Sequence, residues 1–243
     1  MFAAASVARM VNVIAGAMLL LIGWITSAAA VDLVVVDARG IDLKPGAKVP
    51  SNIVLKLAPG SRLTLVTANG ETIRLRGPFE DLPIRDTANT QGVVDSLRKM
   101  MVTPTSGAMT PGVVRSASDV IELPDAWLVD VSRPGTRCIR EGEPIVFWRP
   151  AAATLSEAMS VTPIDRLWEA KGTWPVGRDT VTMPANLPLT SGNTFKIEVG
   201  QIEHAVMFHV LPKTLDNDRM RTAWMDEVGC TSQAVALAKS LPQ

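Results

Sequence analysis

LTLVTANGETIRLRGPFEDL, residues 63–82, carries two apolar runs that flank Asn69 and Gly70, the pattern of a β-hairpin. Its register decides what the strands present. A two-residue turn sets Leu65 across from Arg74 and Leu63 across from Arg76. A three-residue loop of Ala68, Asn69 and Gly70 instead faces Leu65 with Ile73 and Leu63 with Leu75, which keeps one face apolar. The second register is the expected one. It places Gly70 in the left-handed conformation as a bulge and leaves Arg74 and Arg76 on the wetter face.

Upstream of the hairpin, VDLVVVDARG opens with consecutive apolar and β-branched residues. Short strand-like pieces follow, punctuated by Pro45-Gly46 and Pro59-Gly60, which is turn chemistry. A small β module over residues 31–83 follows from this reading, and a module of that size packs on a neighbour or a partner. Residues 84–101 become helical toward their end, with Asp86, Thr87 or Thr90 as candidate starts and Val94, Leu97 and Met101 as a stripe. VTPTSGAMTPGVVRSASD then reads as linker, so residues 84–122 are expected to be a helix and flexible connector.

The chain begins differently. Arg9 is the first charge, VNVIAGAMLLLIGWI runs from Val11 to Ile25, and Ala28 and Ala30 are spaced as a signal peptidase site requires. Residues 1–30 are expected to be a signal peptide cleaved near Ala30, the alternative being an uncleaved anchor. Removing 30 of 243 residues leaves 213, and losing Arg9 leaves 23 basic against 24 acidic side chains, a formal charge of −1. Such a balance argues against a nucleic-acid partner. Localisation is expected to be the periplasm or the medium, with no stable membrane insertion after cleavage. Cys138 and Cys230 are the only cysteines, and in an oxidising compartment they are expected to form a disulfide; two separate buried thiols are the alternative.

Residues 123–243 supply strand candidates at Ala126 to Val131, Glu143 to Trp148, Thr180 to Met183, Thr194 to Val199 and Ala205 to Leu211. In TFKIEVG, Phe195, Ile197 and Val199 alternate with Lys196 and Glu198, as a half-buried antiparallel strand requires. Five such segments suggest an immunoglobulin-like β-sandwich. IDRLWEAKGTWPVGRD reads as a short helix or an irregular excursion. TLDNDRMRTAWMDEVG then changes to helical spacing, with Asp216 or Asn217 at its start and Gly229 as terminator. TSQAVALAKSL is a second helix with Thr231 as candidate cap.

Chemistry-bearing residues are sparse. His204 and His209 lie five apart around one strand, hence on opposite faces, and share no metal geometry. Asp216, Asn217 and Asp218 suit helix capping better than calcium. Ser191-Gly192-Asn193 and Ser106-Gly107 are turns without the elbow of an activated serine, and no phosphate loop is present. No catalytic residue, cofactor or metal site is expected. Trp127, Trp148 and Trp224 read as packing, whereas Trp168 and Trp174 lie in the loop-like excursion and are the candidates for exposed glycan-binding rings. Arg74 and Arg76 are the candidates for contact with a protein partner, with solubility of the strand as the plainer reading.

LKPGAKVPSNIVLKLAPGSRLTLVTANGETIRLRGP, residues 43–78, resembles the small β module of FecR-like periplasmic proteins. The matching positions are Val49 to Val54, Gly60-Ser61, Leu63 to Val66, Asn69-Gly70 and Ile73 to Leu75. In that family the module belongs to regulators that relay the state of an outer-membrane receptor to a sigma factor. This chain departs from them because its membrane-like stretch lies at the extreme N-terminus. The second half looks like uncharacterised exported bacterial domains through Cys138, Trp148-Arg149-Pro150, Gly229-Cys230 and Gln233-Ala234. The resulting expectation is a mainly β protein: a small hairpin-based β module, then an immunoglobulin-like β-sandwich with C-terminal helices. It is expected to be a non-catalytic envelope adaptor or scaffold that binds an envelope protein, the alternative being a carbohydrate or peptidoglycan module.

Overall fold

The computed structural model describes residues 32–84, 90–102, 122–184 and 186–242. The expected export segment lies outside them, as do residues 103–121 of the expected linker. Seven strands form in the first half: β1 (Asp32–Arg39), β2 (Lys48–Pro50), β3 (Leu55–Leu57), β4 (Arg62–Val66), β5 (Glu71–Arg76), β6 (Phe79–Asp81) and β7 (Thr90–Gly92), followed by α1 (Val93–Val102). The hairpin takes the expected register, with Leu63 opposite Leu75 and Leu65 opposite Ile73. Gly70 has φ +77°. A Cβ there would meet the backbone oxygen of Arg219 at 2.8 Å, so glycine also lets a later helix approach the loop.

Five strands join in the order β2-β1-β4-β5-β7, and β3 pairs with β6. Leu33, Val35, Leu63, Leu65, Ile73 and Leu75 fill a core closed by Leu55 and Leu57. Val34, Val36 and Val66 point the other way and are buried as well. That explains the unbroken apolar run of β1: a sheet covered on both faces needs no polar alternation. Helix α1 begins at Val93, later than expected, because Glu71 and Thr72 draw Gly92 and Gln91 into the sheet as β7. Val94 and Leu97 are buried.

The second half forms β8 (Leu128–Asp130), β9 (Gly135–Arg140), β10 (Ile145–Trp148), β11 (Glu157–Pro163), β12 (Ala170–Trp174), β13 (Thr180–Met183), β14 (Thr194–Val199) and β15 (Ile202–Leu211), then α2 (Asp218–Glu227) and α3 (Thr231–Ser240). One sheet has the order β13-β10-β8 and the other β12-β11-β14-β15-β9. Their shared core contains Val129 and Phe147 from the smaller sheet and Val161, Trp174, Phe195 and Phe208 from the larger. Two pairs, β10 with β8 and β15 with β9, are parallel. The chain is mostly β, in several sheets, with C-terminal helices.

Helices α2 and α3 do more than close this pair of sheets. Met220, Ala223, Trp224, Ala234 and Leu237 share one core with Val34 and Val66 of the first sheet, Leu97 of α1, and Cys138 and Leu211 of the second. Val31–Gln243 consequently forms one compact unit. The Asn217 side chain caps α2 by accepting from Met220 N–H, as expected. Thr231 does not cap α3; Cys230 stands at the cap position, without a side-chain cap bond, and Thr231 is the first helical residue. Among the described residues no helix is long and apolar enough to cross a membrane.

Candidate functional site

The helix-covered face of the first sheet is built in rows, because residues in register on neighbouring strands stand side by side about 4.8 Å apart. Val34, Val66 and Thr72 form the row under the helices. A bulge in β1 between Val35 and Asp37 then brings Asp37 into line with Thr64 and Arg74. The outermost row is Arg39, Arg62 and Arg76. All three arginines are exposed.

Of the four guanidiniums in these two rows, two are paired with a carboxylate among the described residues. Arg39 pairs with Asp37 at 3.2 Å, and Arg74 is bound by Glu227 of α2. Among the described residues no carboxylate pairs with Arg62 or Arg76. Like charges directly opposite on a sheet repel, so the row carries an uncompensated positive charge on a chain whose total is neutral.

A cavity of about 630 Å³ opens beside the row, lined by Asp37, Arg39 and Thr64 from the first sheet, Ser191 and His209 from the second half, and Trp224 and Glu227 from α2. Burial raises the Glu227 carboxyl above its ordinary value, and Arg74 only partly opposes this. Burial likewise lowers His209, whose ring stands edge-on to Trp224 with centroids 6.1 Å apart. The Trp224 indole N–H is buried and has no partner among the described residues.

Ser191 Oγ lies 3.5 Å from His209 Nδ1, which invites comparison with a nucleophile and its base. The hydroxyl already accepts the Val210 N–H at 3.2 Å, and burial is the cause of the His209 shift, with no carboxylate among the described residues holding its charge. A triad needs that third group to orient the imidazole. The contact here is that of a turn fastened to a strand.

The other sequence-predicted residues fall as follows. Cys138 and Cys230 are joined, with Cα atoms 5.8 Å apart. Arg74 is engaged within the chain, whereas Arg76 joins the arginine row. The reading of Trp174 as an exposed ring is corrected: it is fully buried, on the inward side of β12, and its Nε1–H bonds Arg178 O at 2.9 Å. The expected loop or helix there is a strand, and alternation turns Ala170, Gly172 and Trp174 toward the core. Trp168 is half-buried against Phe195, with ring centroids 5.9 Å apart. Asp216 pairs with Lys48 at 2.9 Å and Asp218 with Arg221 at 2.6 Å. Among the described residues no three His, Cys, Asp or Glu side chains gather as metal ligands.

Sequence reasoning missed Arg39 and Arg62. Extending the hairpin register by one residue past Leu63 and Leu75 sets Arg62 opposite Arg76, so that signal was present. Arg39 joins only through the pairing of β1 with β4, which no local pattern specifies. No protein-family model matches the chain, and no curated protein matches its sequence.

Proposed function

We propose that this protein is a non-catalytic exported adaptor of the bacterial envelope, in the periplasm or the medium, and that it binds the acidic segment of another protein across Arg39, Arg62 and Arg76. The first sheet is read as a FecR-like module and the second half as an immunoglobulin-like sandwich. One observation carries the binding role: three arginines stand in register on adjacent strands with Asp37 as their only carboxylate partner among the described residues. Guanidiniums recognise carboxylates with directional, charge-assisted hydrogen bonds. A row of them across strands fits a chain of carboxylates laid over the sheet, and the repulsion within the row is relieved when that chain arrives.

The test uses a fluorescent octaglutamate peptide and follows its anisotropy against salt. Binding is expected at low ionic strength, weakening as salt rises, and Arg62→Glu is expected to abolish it. The same substitution gives Arg39 and Arg76 a counter-charge and is expected to raise stability by about 0.5–1 kcal/mol. Loss of binding with gain of stability separates recognition from unfolding. Octaglutamate binding that survives Arg62→Glu, or that is absent at low salt, overturns the assignment. Binding to anionic vesicles in place of the peptide overturns the choice of partner.

A further inference from the structure

The cavity beside the arginine row carries charge of the opposite sign. Of its lining groups Asp37 and Glu227 are acidic and Arg39 is basic, while burial keeps His209 neutral at pH 7. Two acidic groups against one basic group leave one negative charge. Asp37, Thr64 and Arg74 stand in register on adjacent strands, and Glu227 reaches Arg74 from α2. Thr64 therefore stands between Asp37 and the pair of Arg74 with Glu227. This row lies two residues along the strands from Arg39, Arg62 and Arg76, a step of about 6.7 Å. Val36, Pro45 and Val228 give the cavity an apolar wall.

We propose that this cavity receives a lysine side chain set among the carboxylates of the acidic segment, a placement that rests on the arginine row as the segment's binding surface. A chain laid over Arg39, Arg62 and Arg76 passes one row from Asp37 and Thr64, within reach of a lysine. Its stem packs along Val36, Pro45 and Val228, as lysine stems do on apolar surface. Its ammonium meets the Asp37 carboxylate, with the Thr64 hydroxyl beside it. Asp37 is open to that exchange, because its partner Arg39 has a side chain 73% exposed. As the segment arrives, Arg39 turns to the incoming carboxylates and Asp37 takes the ammonium in its place. An aspartate or glutamate at this point would face Asp37 and Glu227 and be repelled. An apolar side chain would offer Asp37 no counter-charge. The row supplies attraction and the cavity supplies selection.

Two labelled peptides separate the cavity from the row: octaglutamate interrupted at its centre by lysine, and the same peptide with norleucine in that place. The lysine peptide carries less negative charge, so attraction to the arginines alone makes it the weaker ligand. Seated in the cavity, it is expected to bind about tenfold tighter at low salt. Asp37→Asn, at an exposed position that tolerates the change, is expected to reverse the order. The lysine then loses its counter-charge, while the norleucine peptide gains an Arg39 released from its partner. A lysine peptide no tighter than the norleucine peptide on the parent protein overturns the lysine site and leaves the arginine row standing. A lysine preference that survives Asp37→Asn overturns its placement in the cavity. Binding of the lysine peptide alone, with octaglutamate and the norleucine peptide both inert, keeps the cavity and overturns the row; if none of the three binds, both fall.

Discussion

The two edges of the larger sheet in the second half are finished in opposite ways. At β9 the outer side of the strand is sealed by a side chain: Gln233 of α3 accepts the Cys138 N–H at 2.6 Å and donates to the carbonyls of Cys138, at 2.8 Å, and Ala126, at 3.0 Å. The amide thus does the work of a neighbouring strand, and the Cys138–Cys230 disulfide pins the helix that supplies it. At β12 no described residue covers the outer side of positions 170–173 in this way. Buried polar backbone must find partners, whereas exposed backbone has water. The closed edge is therefore one the fold depends on, and the open edge is one it leaves to water.

Removing the closure should have the largest effect. The disulfide joins residues 92 apart, and chain entropy assigns such a link about 4–5 kcal/mol. Replacing both cysteines by alanine should lower the urea midpoint accordingly. Because α2 and α3 share a core with the first sheet, that sheet should lose its hydrogen-exchange protection together with the second half. Protection that persists in the first sheet would show the two halves to be independent. Gln233→Leu comes next. It leaves one N–H and two carbonyls buried without partners, at a cost of about 3 kcal/mol. Thr173→Val at the open edge is the matched control and should stay within about 0.5 kcal/mol of the parent. Equal effects at the two positions would erase the distinction between the edges.

What the sequence disclosed follows the same division. Local signals were sound: the hairpin register, the Asn217 cap and the cysteine pairing all rest on neighbouring residues or on a count of two. In the second half the strands that escaped notice were β9, β11 and β12, each for a physical reason. Three of the five residues of β12, Lys171, Gly172 and Thr173, are glycine or polar and meet water at its edge. β11 ends in Pro163, a residue that argues against a central strand. β9 carries Arg137, whose guanidinium is buried but satisfied by the carbonyls of Asp130, Thr136 and Arg133, and a charge in a strand reads as exposure. Trp174 was misplaced by the same error, because reading β12 as a loop turned an inward ring outward. Gln233 was visible only as one polar residue in a helix; its role depends on a backbone 95 positions away.

The smallest effect probes the closed edge through its titration. His209 sits in register with Cys138 on the strand next to β9, and it faces Ser191 and Trp224, with Glu227, Asp37 and Arg39 lining the same cavity. Burial holds its folded pKa below the ordinary 6.5, so the unfolded chain takes up the proton first. Stability is then fully present above about pH 6.5 and is lost as pH falls through the window down to the lowered value. Glu227 acts in the opposite sense: its raised pKa means that protonation favours the folded state, in a window that begins above the ordinary 4.5. Urea midpoints followed from about pH 7.5 to 5.5 should therefore decline at first in the parent. His209→Gln should flatten that decline, because it removes the group whose lowered pKa causes it, whereas Glu227→Gln should leave it in place, because protonation of Glu227 favours the folded state. A decline that persists in His209→Gln would mean that the closed edge is not where acid acts, and that the imidazole beside Cys138 is as free to protonate in the folded chain as in the unfolded one.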